Sequence, residues 1–469
     1  MPSTKFAFIE QHHIAPIPAD ERKGSTKGIF GLWFGVNMLP LTVVTGAVAT
    51  SVFGLSLEWA ILSIILGNVV GGVFMGLHAA QGPRLGVPQM LQARAQFGFS
   101  GASIVTLIAM VMFLGFFASN LVVSADSMHE VLPGFHPNVA LVGYAVAATC
   151  VALIGYRWIT RIVTTSGIIV AIMVLLSYVV VLANIDGVAA MNQGTFTIAG
   201  FFGMFAVGAV WQLAYAPYVS DYSRYLPVKT GSRPAFWATY LGCVISAIVV
   251  MILGALIGPM AVDGNVMGAL NEALGGWGIV VLLAFALCAG LGNAANIYSG
   301  VLSALSVVDT LFPKIRISAS SRIVMTLLYA AAAVFIALAG RDSFLLFFKD
   351  FILLLLYALV PWSAINLVDY YLVRHGEYKV ADMFRRDGGS YGKWNLAACV
   401  SFVIGVIFQL PFMVTTLYTG PLAEQLGFVD VAWVLGLVVS GGIYYVWEKK
   451  RTRNNTLQGN RAAVTHAKP

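Results

Sequence analysis

Gly28-Ile29-Phe30-Gly31-Leu32-Trp33-Phe34-Gly35-Val36-Asn37-Met38-Leu39-Pro40-Leu41-Thr42-Val43-Val44 lies in the first long apolar run of the chain. Its flanks suit lipid, but its middle, Phe34 to Pro40, is polar and helix-breaking. Asn37 carries an amide, and Pro40 lacks an N–H and pushes Leu39 toward extended backbone. A helix broken at membrane depth frees N–H and C=O groups that must find protein or ligand partners. A second interrupted run reads Gly208-Ala209-Val210-Trp211-Gln212-Leu213-Ala214-Tyr215-Ala216-Pro217. Pro217 removes a hydrogen bond one turn past Trp211 and Gln212. One proline in a membrane helix is only a kink. Two breaks at matched places in two halves of a chain point to a midplane binding site.

Composition sets the solvent. Of 469 residues, 59% are hydrophobic and 10% charged, where a soluble domain carries roughly 25% charged residues. The 48 glycines and 17 prolines fit the same reading, since both are commoner in membrane helices than in soluble ones. Cys150, Cys243, Cys288 and Cys399 lie scattered in apolar runs with no CxxC spacing, so neither a metal site nor a disulfide framework is expected. The first 27 residues are polar and do not read as a cleavable leader, so the first apolar run is expected to direct insertion.

A span needs about 20 apolar residues. Twelve are predicted, at 28–53, 57–79, 100–125, 138–156, 160–184, 197–220, 235–259, 277–308, 321–340, 343–372, 394–415 and 427–447. The breaks then fall in spans one and six. That spacing predicts a first five-helix repeat over 28–190 and an inverted one over 191–375. A loop with spans eleven and twelve follows over 376–447, and polar tails cover 1–27 and 448–469. With both termini cytoplasmic, 25 of the 27 Lys and Arg residues fall on the cytoplasmic side, leaving only Arg341 and Lys349 outside. The net charge of +7 is therefore a topology signal, and no nucleic-acid partner is expected.

Asp126, Asp221, Asp309 and Asp369 fall near helix ends, so no ionised group stands at mid-depth and a neutral solute is indicated. What does stand there is aromatic and amide: Phe113, Phe116 and Phe117 in span three, Trp211, Gln212 and Tyr215 in span six, Asn293 and Asn296 in span eight, and Asn37 at the first break. Aromatic faces stack on a planar ring, and Asn or Gln presents a donor beside an acceptor, matching the edge of a nucleobase. The expected substrate site is Asn37, Phe113, Phe116, Trp211, Gln212, Tyr215, Asn293 and Asn296. Gly67, Gly71, Gly72 and Gly76 in span two are assigned to close helix packing. The histidines lie in tails, loops or helix ends (His78, His129, His136, His375), which disfavours a membrane enzyme.

Several stretches resemble the nucleobase–cation symporter-1 family. Leu32-Trp33-Phe34-Gly35-Val36-Asn37 is similar to its opening. Gly86 to Gly98, with Arg94 and Phe97-Gly98, resembles its Gly–spacer–Arg–Phe-Gly motif. Gly155-Tyr156-Arg157-Trp158-Ile159-Thr160-Arg161 looks like its loop between spans four and five, and Tyr218-Val219-Ser220-Asp221-Tyr222-Ser223-Arg224-Tyr225 like the motif closing span six. Asn293-Ala294-Ala295-Asn296-Ile297-Tyr298-Ser299 resembles its span-eight signature, and the wording around Pro217 is most like the purine–cytosine permease branch. The resemblance implies an all-α membrane fold of the LeuT type: a 5+5 inverted repeat plus two C-terminal helices. It also implies cation-driven uptake of a purine, cytosine or related planar heterocycle. Phe116 takes the span-three stacking place, Trp211 or Gln212 the span-six place, and Asn293 and Asn296 the hydrogen bonds.

Two departures matter. Members of the family carry Trp and Gln on span three, where Phe116 and Phe113 stand here, so one hydrogen bond is expected to be lost. Sodium-coupled members place a Ser/Thr pair before the span-eight Asn, where this chain has Ala289-Gly290-Leu291-Gly292. Sodium needs oxygen ligands, so a co-transported proton is favoured, with sodium still open. Alternatives are an amino-acid or amine carrier of the same fold, or an allantoin, hydantoin or thiamine-type substrate. The chain is expected to sit in the bacterial inner membrane as a monomer or weak oligomer.

Overall fold

The computed structural model describes residues 14–184, 194–312, 314–341 and 344–466. The expected boundary between repeats, at 190/191, lies outside the described residues, and so does the side chain of Lys349.

The regular elements among the described residues are helices, apart from one isolated bridge between Val414 and Thr419. Ser25 caps α1 (Thr26–Val36) by accepting the Gly28 N–H at 3.1 Å. The helix stops at Asn37, Leu39 is extended (φ −131°, ψ 150°), and α2 (Pro40–Ser51) starts on its proline. The two halves meet at 57°. Beyond them lie α3 (Leu57–Ala79), a short helix α4 (Gln89–Phe97), α5 (Ala102–Val131), α6 (Pro137–Ile154) and α7 (Tyr156–Asn184). The second half has α8 (Ile198–Leu213), α9 (Ser232–Ile257), α10 (Val266–Leu274), α11 (Gly278–Gly292), α12 (Ala294–Leu311), α13 (Ala319–Gly340) and α14 (Phe344–Leu367). Last come α15 (Leu396–Gln409) and α16 (Ala432–His466).

Among the described residues, nine helical stretches are long and apolar enough to cross a membrane, or ten if α1 and α2 form one bent span. They coincide with the first ten predicted spans. The shorter apolar Leu396–Phe412 and the start of α16 fall where spans eleven and twelve are expected. The predicted break in span six is present: α8 ends at Leu213, a 3-10 turn runs over Ala216–Tyr218, and helix resumes over Val219–Ser223. A third break, absent from the sequence reading, separates α11 from α12 at Asn293.

Two groups of helices pack internally. One holds α1, α2, α3, α8 and α9; the other holds α5, α6, α11, α12 and α13. α7 touches α1 and α11, while α14, α15 and α16 pack on one another. The first group closes on glycine. A Cβ on Gly71 would lie 2.3 Å from the Ala209 carbonyl oxygen, and one on Gly67 2.4 Å from that of Phe205. Gly72 and Gly76 meet Val244 and Phe236. The glycine stripe of span two thus carries close packing, backbone to backbone at Gly67 and Gly71 and against side chains at Gly72 and Gly76. α2 and α9 meet through Gly46 and Gly254, where any side chain would strike the Met251 or Val43 carbonyl oxygen at 1.9 Å.

The N-terminal segment sits on the loops after α3 and α8: Arg22 donates to Pro83 O at 2.8 Å, and the Gly24 N–H to Tyr225 O at 2.8 Å. Arg94 of α4 is buried and pairs with Asp309 at the end of α12 (2.9 Å). It also donates to Ser306 O, Thr310 Oγ1 and Met383 O. That set explains the Arg before Phe97-Gly98: it fastens α4 to the second helix group. The opposite face has its own clasp, Arg341 to Asp126 at 2.7 Å.

Gly254→Leu is expected to force α2 off α9 at a cost of about 1–3 kcal/mol, seen as a lower thermal midpoint of the detergent-purified protein. Ala substitution at the open Gly143, where nothing lies near a Cβ, leaves the midpoint unchanged.

Candidate substrate site

The breaks in α1/α2, α8 and α11/α12 converge on one cavity between the two helix groups. Val36, Leu39 and Leu41 line it from the first break. Phe116 and Asn120 come from α5, and Trp211, Tyr215 and Tyr218 from the end of α8 and its turn. Gly292, Ala295 and Asn296 complete it from the third break. The cavity holds about 30 Å³, roughly the share of one water molecule. Phe116 meets Trp211 edge-on, with ring centroids 6.0 Å apart at 90°. A flat heterocycle therefore enters only if these rings part and one turns its face to the newcomer.

Asn37 stands behind the cavity wall, and the structure spends its whole amide on protein. Its Oδ1 accepts from Trp211 Nε1 and from the Tyr215 hydroxyl, both at 2.8 Å. Its Nδ2 donates to Cys243 O (3.0 Å) and Ser246 Oγ (2.9 Å), with Cys243 Sγ at 3.1 Å. Here Asn37 sets the two aromatic donors and offers the cavity nothing directly. An aromatic layer continues below: Trp33 packs edge-on to Tyr215, Tyr218 and Tyr222.

The other expected residues divide. Phe116, Trp211, Tyr215 and Asn296 reach the cavity. Asn293 sits behind Asn296, accepting its Nδ2 at 2.9 Å while donating to Phe117 O at 2.9 Å. Gln212 does not reach the cavity. One residue past Trp211 is a turn of about 100°, which aims it at Asn68 Oδ1 (2.8 Å) on α3. Phe113 also lies off the cavity, edge-on to Tyr218 at 4.8 Å.

Span three does supply an amide: Asn120, one turn after Phe116, lines the cavity. Its Nδ2 holds Phe116 O at 2.9 Å, and its buried Oδ1 has no partner among the described residues. The i, i+4 relation to Phe116 was available in the sequence, but the amide was sought at position 113, about two turns earlier along the helix. Tyr218 was missed because it follows Pro217, past the point where helical periodicity can be counted.

The stretch before Asn293 brings no hydroxyl. Gly290 packs on the Tyr144 ring, Gly292 faces Leu39 and Val163, and Ala289 O accepts the Asn293 N–H at 3.0 Å. No cluster of three His, Cys, Asp or Glu side chains suited to a metal ion occurs among the described residues.

Comparison with known proteins fits this arrangement. Residues 16–436 match the family model described as permease for cytosine/purines, uracil, thiamine, allantoin. The chain belongs to that family. The putative purine-cytosine permease YxlA of Bacillus subtilis is 36% identical over 452 residues, covering 95% of this chain and 97% of the relative. The purine-cytosine permease fcyB of Emericella nidulans is 25% identical, covering 93% and 87%. Among solved structures, Mhp1, a nucleobase-cation-symport-1 family transporter, in a closed conformation with bromovinylhydantoin bound, superposes with a TM-score of 0.75 at 19% identity. It covers 95% of this chain and 97% of Mhp1. The inward facing conformation of Mhp1 gives 0.72. The chain is thus a multi-pass membrane transporter of the permease family and not an enzyme, and it shares the Mhp1 fold.

Trp211 lines the cavity, whereas its neighbour Gln212 bonds Asn68 away from it. Trp211→Ala is expected to weaken solute binding at least about ten-fold, one stacked aromatic being worth roughly 1–3 kcal/mol. Gln212→Leu is expected to change affinity by less than about three-fold while lowering thermal stability, since it orphans Asn68. Ligand-dependent thermal shifts of both purified variants check this.

Proposed function

We propose that this permease imports a nucleobase, a purine or cytosine, by alternating access, together with a cation. The observation that carries the reading is the convergence of Phe116 and Trp211 with the Asn120 and Asn296 amides on one cavity at three helix breaks. Those groups offer ring faces and a donor–acceptor edge, the two things a planar base needs. The names of the relatives support the same class. An amino-acid or amine solute fits less well, because no carboxylate or ammonium partner lines the cavity.

The finer architecture belongs to this reading. Twelve spans in a 5+5 inverted repeat with two added helices account for the ten long spans, for Leu396–Phe412 and α16, and for breaks in spans one and six. Cytoplasmic termini follow from the Lys and Arg bias of the loops between twelve spans. A bacterial inner membrane and a monomer or weak oligomer complete the picture.

The cation is a proton. Sodium is a hard ion that takes oxygen ligands, and apolar packing surrounds Ala289 to Gly292 where sodium-coupled relatives are expected to place hydroxyls.

Uptake of labelled hypoxanthine and cytosine into proteoliposomes, competed by a panel of purines, pyrimidines, allantoin and hydantoins, tests the substrate class. Purines or cytosine are expected to compete best; an amino acid or a hydantoin competing best would overturn the reading. Asn296→Ala is expected to raise KM at least about ten-fold through loss of a hydrogen bond to the base, at unchanged abundance in the membrane.

A further inference from the structure

Beside the substrate cavity lies a larger one that the solute-facing groups do not use. It holds about 200 Å³ between α5, α13 and α14, roughly the share of seven water molecules. Ala118 and Val122 line it from α5, Ala337 and Gly340 from α13, and Phe351 from α14. Apart from Ser119, the side chains along it are apolar. It offers room to a hydrocarbon ring and little to a polar solute.

Phe351 stands between the two cavities. Its ring meets Phe116, which lines the substrate cavity, with centroids 5.4 Å apart and planes at 71°. A Cβ on Gly115, the residue before Phe116, would lie 2.3 Å from the tip of the Phe351 ring. Glycine therefore makes the seat that lets Phe351 reach Phe116. Both rings are only partly buried, whereas Phe113 and Phe117 on the same helix are fully buried.

The two rings facing each other across the substrate cavity are held differently. Trp211 is tied through its Nε1–H to Asn37 Oδ1 at 2.8 Å. The Phe116 ring has no polar atom to tether it, and meets Trp211 and Phe351 edge-on. Turning Trp211 breaks a buried hydrogen bond, whereas turning Phe116 about its side-chain bonds breaks none. Phe116 is thus the ring that turns its face to a base, and it turns only as Phe351 gives way. The α14 backbone is pinned at this level from the loop between α15 and α16. Asp350 accepts from the Thr416 N–H at 3.1 Å and from the Thr416 hydroxyl, and Tyr357 donates to Asp430 at 2.5 Å. What yields is the Phe351 side chain, and the room next to it is the 200 Å³ cavity.

Resting on the proposed transport of a planar base, we propose that Phe351 is a positioning residue. It holds Phe116 edge-on to Trp211 in the arrangement seen here, and its ring moves into the cavity between α5 and α13 when a base turns Phe116 face-on. Base entry and ring displacement are one event. Affinity is then set partly by residues of α13 that no base touches.

The test uses the full-length protein purified in detergent, with Kd read by direct binding of labelled hypoxanthine and cytosine. Gly340→Phe fills the larger cavity from α13, at a position where nothing lies near a Cβ and outside the substrate cavity. It is expected to weaken base binding at least about ten-fold at an unchanged thermal midpoint. Phe351→Ala removes the ring that must move, and is expected to bind within about three-fold of wild type or tighter. The deciding variant carries both changes. With no Phe351 ring to displace, filling the cavity loses its effect, and affinity is expected within about three-fold of Phe351→Ala alone. Two merely structural residues would add their losses instead of cancelling them. Gly340→Phe binding like wild type, Phe351→Ala losing about ten-fold, or a double variant as weak as Gly340→Phe each overturns the proposal. If Gly340→Phe does not assemble, Ala337→Leu fills the same cavity and is judged by the same outcomes. A wild type that binds neither base overturns the substrate reading itself, whereas a base-binding wild type with an unrescued double variant overturns the role of Phe351 alone.

Discussion

One side-chain amide holds the site together. Where α1 breaks, Asn37 uses both lone pairs of its oxygen and both hydrogens of its nitrogen on four groups from α8, its following turn and α9. In an apolar interior each of those groups, left alone, would cost about 1–3 kcal/mol. The amide therefore fixes more than its own helix. It sets the Trp211 plane, and through Tyr215 it sets the Trp33 and Tyr218 rings that close the cavity from below. The break supplies the space for these groups, and Asn37 makes their arrangement single.

Rigidity on one side of the cavity comes from a different source. Gly46 with Gly254, and Gly67 with Gly71, bring backbones so near that neither contact can take a side chain. Dispersion between close backbones replaces the hydrophobic drive that lipid cannot provide. The first helix group is thereby one body. It meets the second group through side chains, Phe116 edge-on to Trp211 and Phe113 edge-on to Tyr218, and Arg94 reaches the second group from α4. A tightly knit body against a separable neighbour is the mechanical condition for opening a cavity that now holds about 30 Å³.

The fold was legible wherever sequence spoke through backbone chemistry. Pro40 and Pro217 announced their breaks, and the glycines of span two announced contact. The third break, at Asn293, has no proline and no positive-φ residue to announce it. The site was legible by residue type and less so by direction. Trp211 and Gln212 are neighbours in sequence and face different helices, a distinction that needs the register of α8. Asn120 escaped because a residue type expected from the family was sought at position 113, about two helical turns too early. His78 looked peripheral because it stands at a helix end. Only the packing of α4 and α14 over that end makes it interior.

The 57° bend at Leu39 has an electrostatic consequence. It sets the negative end of α1 and the positive end of α2 side by side at the cavity wall. The first turn of α2 receives no side-chain cap, and of its early N–H groups Thr42 turns back to Leu39 O. A solute there meets a short-range field that reverses over a few ångströms. Such a field exerts little net pull on an ion but a definite torque on a neutral ring with opposed donor and acceptor edges. On the proposed transport of a planar base, the bend would act as a compass for a dipolar molecule before any single hydrogen bond to it is formed.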